Sequence, residues 1–219
     1  MRPSRYEYRV TFGPQQQPRR RVYFSRNEVL HLTIAALLVI IVGISSVLYG
    51  LTFPNISLVM SAVAFTAILM ISFFIHEIAH KITAQRRGLW SEFRLTLWGS
   101  FMTLIFAFLP IKFISPGAVM IAGAAERKEI GEISIAGPIV NLTLSILFLG
   151  TAFASGPLYP IFLFGGFFNA YMASFNLIPF GILDGHKIFN WNRIIWGLVF
   201  ATSVALTVVG YVRYLPYLQ

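Results

Sequence analysis

The residues with the greatest chemical potential lie in Phe74–Lys81, FIHEIAHK, where two histidines stand four positions apart and a glutamate follows the first. On a helix, positions i and i+4 share a face, so His76 and His80 can reach one metal ion. Glu77 can then project toward water at that ion, and His-Glu-x-x-His at this spacing is a pattern of zinc-dependent peptide hydrolysis. A catalytic zinc site takes three protein ligands and keeps one position open. Neither His nor Glu recurs one or two turns further along, so the third ligand must come from another segment. The only aspartate in the chain is Asp184, in Asn176–Lys187, NLIPFGILDGHK. It follows an apolar run in which Pro179 and Gly181 can open the backbone, and it is the natural third ligand. Its plainer role would be to cap the turn that follows, which does not conflict with metal binding. His186 is read as an outer partner or as uninvolved, because a fourth protein ligand would close the site to water. His31, beside Glu28, reads as an interface anchor. A further polar cluster, Ala136–Asn141 (AGPIVN), combines a glycine that lets helices approach, a proline suited to a first helical turn and an amide one turn inside an apolar helix. Asn141 could donate to a scissile carbonyl oxygen, or simply bond a neighbouring helix.

The elements that must position these groups are membrane elements. Of 219 residues, 57% are hydrophobic and 11% charged, and mean hydropathy is +0.72. Soluble domains carry about 25% charged residues, so a disordered chain, a nucleic-acid-binding domain and an ordinary soluble enzyme are excluded as first readings. The net charge of +9 is a topology signal at an anionic leaflet, since basic residues cluster in the first 26 positions and in short gaps between apolar runs. The absence of cysteine excludes a disulfide framework and thiolate-bound zinc. No cleavable signal peptide is evident.

The expected fold is an all-α polytopic membrane protein of five to six transmembrane helices, with a small β element on the cytoplasmic side. A basic cytoplasmic arm is expected over 1–28, with a strand at Tyr6–Phe12. An integral membrane domain follows over 29–213, its core in 56–190, and a tail over 214–219. Full spans are expected at Leu30–Leu51, Ile56–Thr83, Ile133–Phe153, Leu158–Ile178 and Ile194–Val212, and strands at Trp90–Leu95 and within Ser115–Gly123. Gly88 could cap the second span. Leu97–Leu109 is short for a crossing. The loop-charge rule predicts that it enters and leaves on the cytoplasmic side, which puts every basic residue except Arg213 inside. The alternative is a sixth crossing.

Taken together, HEIAH, AGPIVN and NLIPFGILDG resemble the HExxH, GPxxN and NxxP…LDG motifs of the site-2 protease family, the intramembrane zinc metalloproteases. The resemblance covers about 110 residues, from Phe74 to Lys187. It implies that His76, His80 and Asp184 bind Zn2+, that Glu77 is the general base, that Asn141 helps hold the substrate or its oxyanion, and that Asn176 supports substrate near a broken helix. It also implies a sheet over Trp90–Ala124, in which Ser115–Gly123 supplies an edge strand for unwound substrate. Many members carry LDGG where this chain has Leu183-Asp184-Gly185-His186-Lys187, which leaves the role of His186 open. No PDZ module is expected.

The function expected is therefore hydrolysis of peptide bonds in or near the transmembrane helices of other membrane proteins, as in regulated intramembrane proteolysis. The partners are a helical protein substrate and membrane lipids, with no nucleic acid. The location is a prokaryotic cell membrane, with the site toward the cytoplasm. Other classes compatible with the residues are a zinc-binding transporter or sensor and an inactive family member that binds helices.

Overall fold

Capping serines set the first two helices. Ser25 accepts the Glu28 N–H and opens α1, Arg26–Leu48; Ser57 accepts the Met60 N–H and opens α2, Leu58–Arg86. Each side-chain oxygen satisfies a backbone donor that has no partner inside its helix. The computed structural model describes residues 22–109 and 112–217, so the strand expected at Tyr6–Phe12 lies outside the described residues. α2 ends at Arg87 with Gly88 in the left-handed region (φ 76°). The Gly88 and Leu89 N–H groups return to Gln85 and Ala84 carbonyls, the glycine-terminated cap expected from the sequence.

The chain continues through β1 (Trp90–Leu95), α3 (Leu97–Ala107), β2 (Gly117–Ala122), α4 (Arg127–Ser134), α5 (Ala136–Ala152), α6 (Tyr159–Asn176), α7 (Asp184–Trp191) and α8 (Arg193–Tyr214). Among the described residues, five helical segments are long and apolar enough to cross a membrane: α1, α2, α4 with α5 as one interrupted span, α6 and α8. The fold is thus an all-α polytopic membrane protein with a small sheet. Large apolar side chains such as Leu37, Val63 and Leu198 face outward, as expected where lipid is the solvent. The interior holds an aromatic knot. Phe53, from the α1–α2 turn, stacks on Phe65 at 4.5 Å between ring centroids, and Phe164 of α6 meets Phe65 edge-on at 4.6 Å. Tyr214 of α8 closes the same cluster.

β1 and β2 pair antiparallel, with Trp90 opposite Ala122 and Leu95 opposite Gly117. That register answers the topology question about Leu97–Leu109. The segment leaves the sheet at Leu95 and rejoins it at Gly117, so it makes no net crossing. α3 lies against α1. At its near end the Leu95 N–H bonds His31 Nδ1 at 3.2 Å; at its far end the Phe108 carbonyl accepts from Tyr49, just past the end of α1. The returning chain runs back along α3, where Ser115 N–H donates to Thr103 and Ser100 donates to the Pro116 carbonyl. This hairpin corrects one detail of the loop-charge reading. Lys112 does not lie at the face shared by the sheet and α7. It is buried near the far end of α1, donating to Ser45 Oγ and to the Ala107 and Leu109 carbonyls. A cation there satisfies the open C-terminus of α3.

α4 and α5 are separated by one residue, Ile135. Pro138 has no N–H to return to the Ser134 carbonyl, which weakens the ladder at that point.

Candidate metal centre

His76 and His80 sit toward the sheet end of α2, His76 about 15 Å along the axis from its last residue at 1.5 Å per residue. Both are buried. The loop after α6 turns through Gly181 (φ 62°) and delivers Asp184 as the first residue of α7. A side chain at Gly185 would collide with the Leu177 and Ile178 carbonyls, so the glycine after the aspartate lets α7 begin directly against the end of α6. Asp184 Oδ2 lies 3.4 Å from His76 Nε2 and 3.0 Å from His80 Nε2, and the two Nε2 atoms are 3.1 Å apart. The second oxygen, Oδ1, is 3.5 Å from Lys187 Nζ.

The tautomers follow from the partners. His80 Nδ1 faces the Ile133 carbonyl at 2.8 Å; a carbonyl can only accept, so Nδ1 carries the proton. His76 Nδ1 faces Asn141 Oδ1 at 2.5 Å and is likewise the donor. In the neutral imidazoles both Nε2 atoms are then bare lone pairs. Two lone pairs and a carboxylate oxygen converge with no hydrogen to place between them. Such a buried cluster of acceptors calls for a cation. Two imidazoles and one carboxylate, each fixed from behind, suit zinc.

Gly137 completes the pocket. A Cβ on it would fall under 3.0 Å from both Nε2 atoms, so only glycine lets α5 pass this close. Glu77 is buried beside the cluster, within electrostatic range of His76 and Asp184, and its Oε2 accepts the Val119 N–H of β2 at 3.1 Å.

The other expected site residues fall as follows. Asn141 is wholly buried and uses its amide hydrogens internally, on the Ser72 carbonyl at 3.2 Å and on Asn169 Oδ1 at 2.9 Å. Both amide hydrogens thus have internal partners in this structure, and the oxygen faces His76. Asn176 ends α6, donates to the Met172 carbonyl at 2.9 Å, and lines an open cleft with Lys112, Ser115, Tyr171 and Phe175. His186 stays outside the cluster; it is exposed, and its Nδ1 lies 3.1 Å from the Gly181 carbonyl in the preceding loop. His31 accepts from β1, as described. Sequence reasoning missed Asn169, the Ile133 carbonyl and the Val119 N–H. Each is a partner brought in from another element, and no spacing along the chain signals it.

Among the described residues, five segments able to span a membrane surround a buried His-His-Asp cluster capable of holding a metal ion, and they define the class: a polytopic membrane protein with a candidate metal site inside its helix bundle. The chain is 33% identical over 202 residues to a protein of Methanocaldococcus jannaschii described as "Putative zinc metalloprotease MJ0611", with 89% of this chain and 97% of the relative covered. The chain belongs to the same family as that archaeal protein. No family model matches it, and no solved structure shows significant similarity.

Proposed function

We propose that this protein is an intramembrane zinc metalloprotease of the site-2 type, hydrolysing peptide bonds in or near the transmembrane helices of other membrane proteins. The observation that carries the reading is the convergence of two bare Nε2 lone pairs and the Asp184 oxygen beside the Glu77 carboxylate, inside a bundle of membrane helices. The description of the archaeal relative as a zinc metalloprotease supports the same chemistry. His76, His80 and Asp184 would hold the ion. Zinc bound there would supply Lewis acidity, bringing deprotonation of water within reach of neutral pH. Glu77 accepts the proton of the attacking water and passes it to the leaving amine. Asn141 holds the His76 ring. Asn176, on the open cleft, binds the substrate backbone where its helix has unwound.

A substrate helix bonds its own carbonyls and must open before attack. The outer edge of β2 offers replacement partners. Val119 N–H points away from β1 toward Glu77. Because strand edges alternate with period two, Gly117 and Ile121 point the same way and can receive an added strand. The face that bears the sheet, α7 and the exposed Arg86, Arg87, Arg127 and Lys128 is assigned to the cytoplasm by the positive-inside rule, in a prokaryotic cell membrane.

The test is Glu77→Gln in the purified full chain, with metal analysis beside cleavage of a single-span helical substrate in vesicles. The variant should keep its zinc and lose cleavage. Retained proteolysis would remove Glu77 as base, and a wild-type protein that carries no zinc would end the metalloprotease reading.

A further inference from the structure

Two carboxamides stand behind His76, and the outer one has no role in the chemistry above. Asn169 lies on α6, wholly buried. Its Nδ2 donates to the Gly165 carbonyl one turn earlier, at 2.8 Å. That carbonyl can only accept, so the amide has a single orientation: Asn169 turns Oδ1 toward Asn141 and accepts from its Nδ2 at 2.9 Å. The Ser72 carbonyl, again only an acceptor, takes the other Asn141 hydrogen; the Met172 sulfur is a weaker contact at 3.8 Å. With both hydrogens committed, Asn141 can present nothing but Oδ1 to His76.

We propose that Asn169 is a positioning residue for the metal centre: anchored on a helix carbonyl, its amide oxygen fixes Asn141, and Asn141 in turn fixes the His76 tautomer and aims Nε2 at the ion. This rests on the reading of His76, His80 and Asp184 as zinc ligands. Without Asn169, one Asn141 hydrogen is buried and unpaired, which is costly. The Ser72 carbonyl alone then holds the Asn141 amide, so its plane can tilt and the oxygen that aims the His76 ring loses its fixed position. Outer partners of metal-bound histidines are worth 10- to 100-fold in metal affinity.

The experiment compares the wild-type chain with Asn169→Leu, which fills a similar volume without an acceptor. Three quantities are read: zinc affinity by chelator competition, the visible bands of the Co2+-loaded protein, and thermal melting of the metal-free protein. The expected result is zinc binding weakened about 10- to 100-fold with shifted Co2+ bands. A role in packing alone would move the metal-free melting temperature and leave both metal readouts in place, which would overturn the proposal. Should N169L fail to fold, Asn169→Ser decides by the same readouts. Its hydroxyl bonds back to the carbonyl four residues earlier and leaves Asn141 without its acceptor. Zinc bound by wild type and variant alike overturns this inference and spares the parent reading; no zinc in the wild type overturns both.

Discussion

At the scale of the residue, the centre is defined by what its atoms cannot do. Carbonyls of Ile133, Ser72 and Gly165 can only accept, and these three fixed points determine every tautomer and amide orientation around the imidazoles. Two predictions belong here. Asp184→Ala removes the one anionic ligand and should lower zinc content per molecule, measured on the purified protein; unchanged stoichiometry would mean that another group is the third ligand. Gly137→Ala places a methyl group against both Nε2 atoms. It should abolish zinc binding even though no ligand is altered, and a variant that loads zinc normally would show that α5 can withdraw. The convergence of His76, His80 and Asp184 was legible in the sequence, because i,i+4 histidines and a lone aspartate after a Pro/Gly break are patterns along the chain. Asn169 was not legible. Its partner lies 28 residues away on another helix, and an asparagine within an apolar run has no spacing that distinguishes a relay from a helix contact.

At the scale of the element, the sheet reaches the bundle through a buried ion pair. Glu28, at the first turn of α1, is wholly buried. It accepts from Lys81 Nζ at 2.8 Å and from the Phe93 N–H of β1 at 2.8 Å. Lys81 also donates to the Ser91 carbonyl, and it directly follows His80. Removing one member of such a pair strands the other charge, so Glu28→Ala should destabilise the protein by about 3–5 kcal/mol, read as a lowered melting temperature. A change within experimental error would mean that water or lipid headgroups reach Lys81. β2 makes a second prediction. Ile121→Pro removes an outward N–H while leaving the Val119–Glu77 contact untouched. It should slow cleavage of helical substrates with zinc content unchanged, and undiminished rates would argue against strand addition at this edge. β1 was read from its residues with its observed limits. Pro138 lies in the first turn of α5, as expected, but the extension of the same span back through α4 to Arg127, with a break at Ile135, was not foreseen.

At the scale of the whole molecule, the hairpin around α3 determines which loops share a face. Because the chain has no cysteine, single cysteines report sidedness without background. Arg86→Cys and Lys128→Cys should react with an impermeant thiol reagent from one side of sealed vesicles, and Asn55→Cys and Ala154→Cys from the other. If Lys128 and Arg86 labelled from opposite sides, α3 would be a true crossing and the topology would fail. The number of spans was legible because uncharged runs of sufficient length are counted directly. The sheet register that closes the hairpin was not, since it depends on pairing between segments more than twenty residues apart. Lys112 shows the limit of counting loop charges: a cation engaged at the end of a helix has left the population that the rule describes.

The Nδ1 partners of both imidazoles lie in the stretch between Ile133 and Asn141: a carbonyl for His80, an amide for His76, and the bare backbone of Gly137 between them. The interrupted span therefore works like a single thumb pressed on both ligands. Any guest that pries this stretch from α2 by a fraction of an ångström slackens both nitrogens together, so grip on the cation and admission of a helix between these two spans are mechanically opposed.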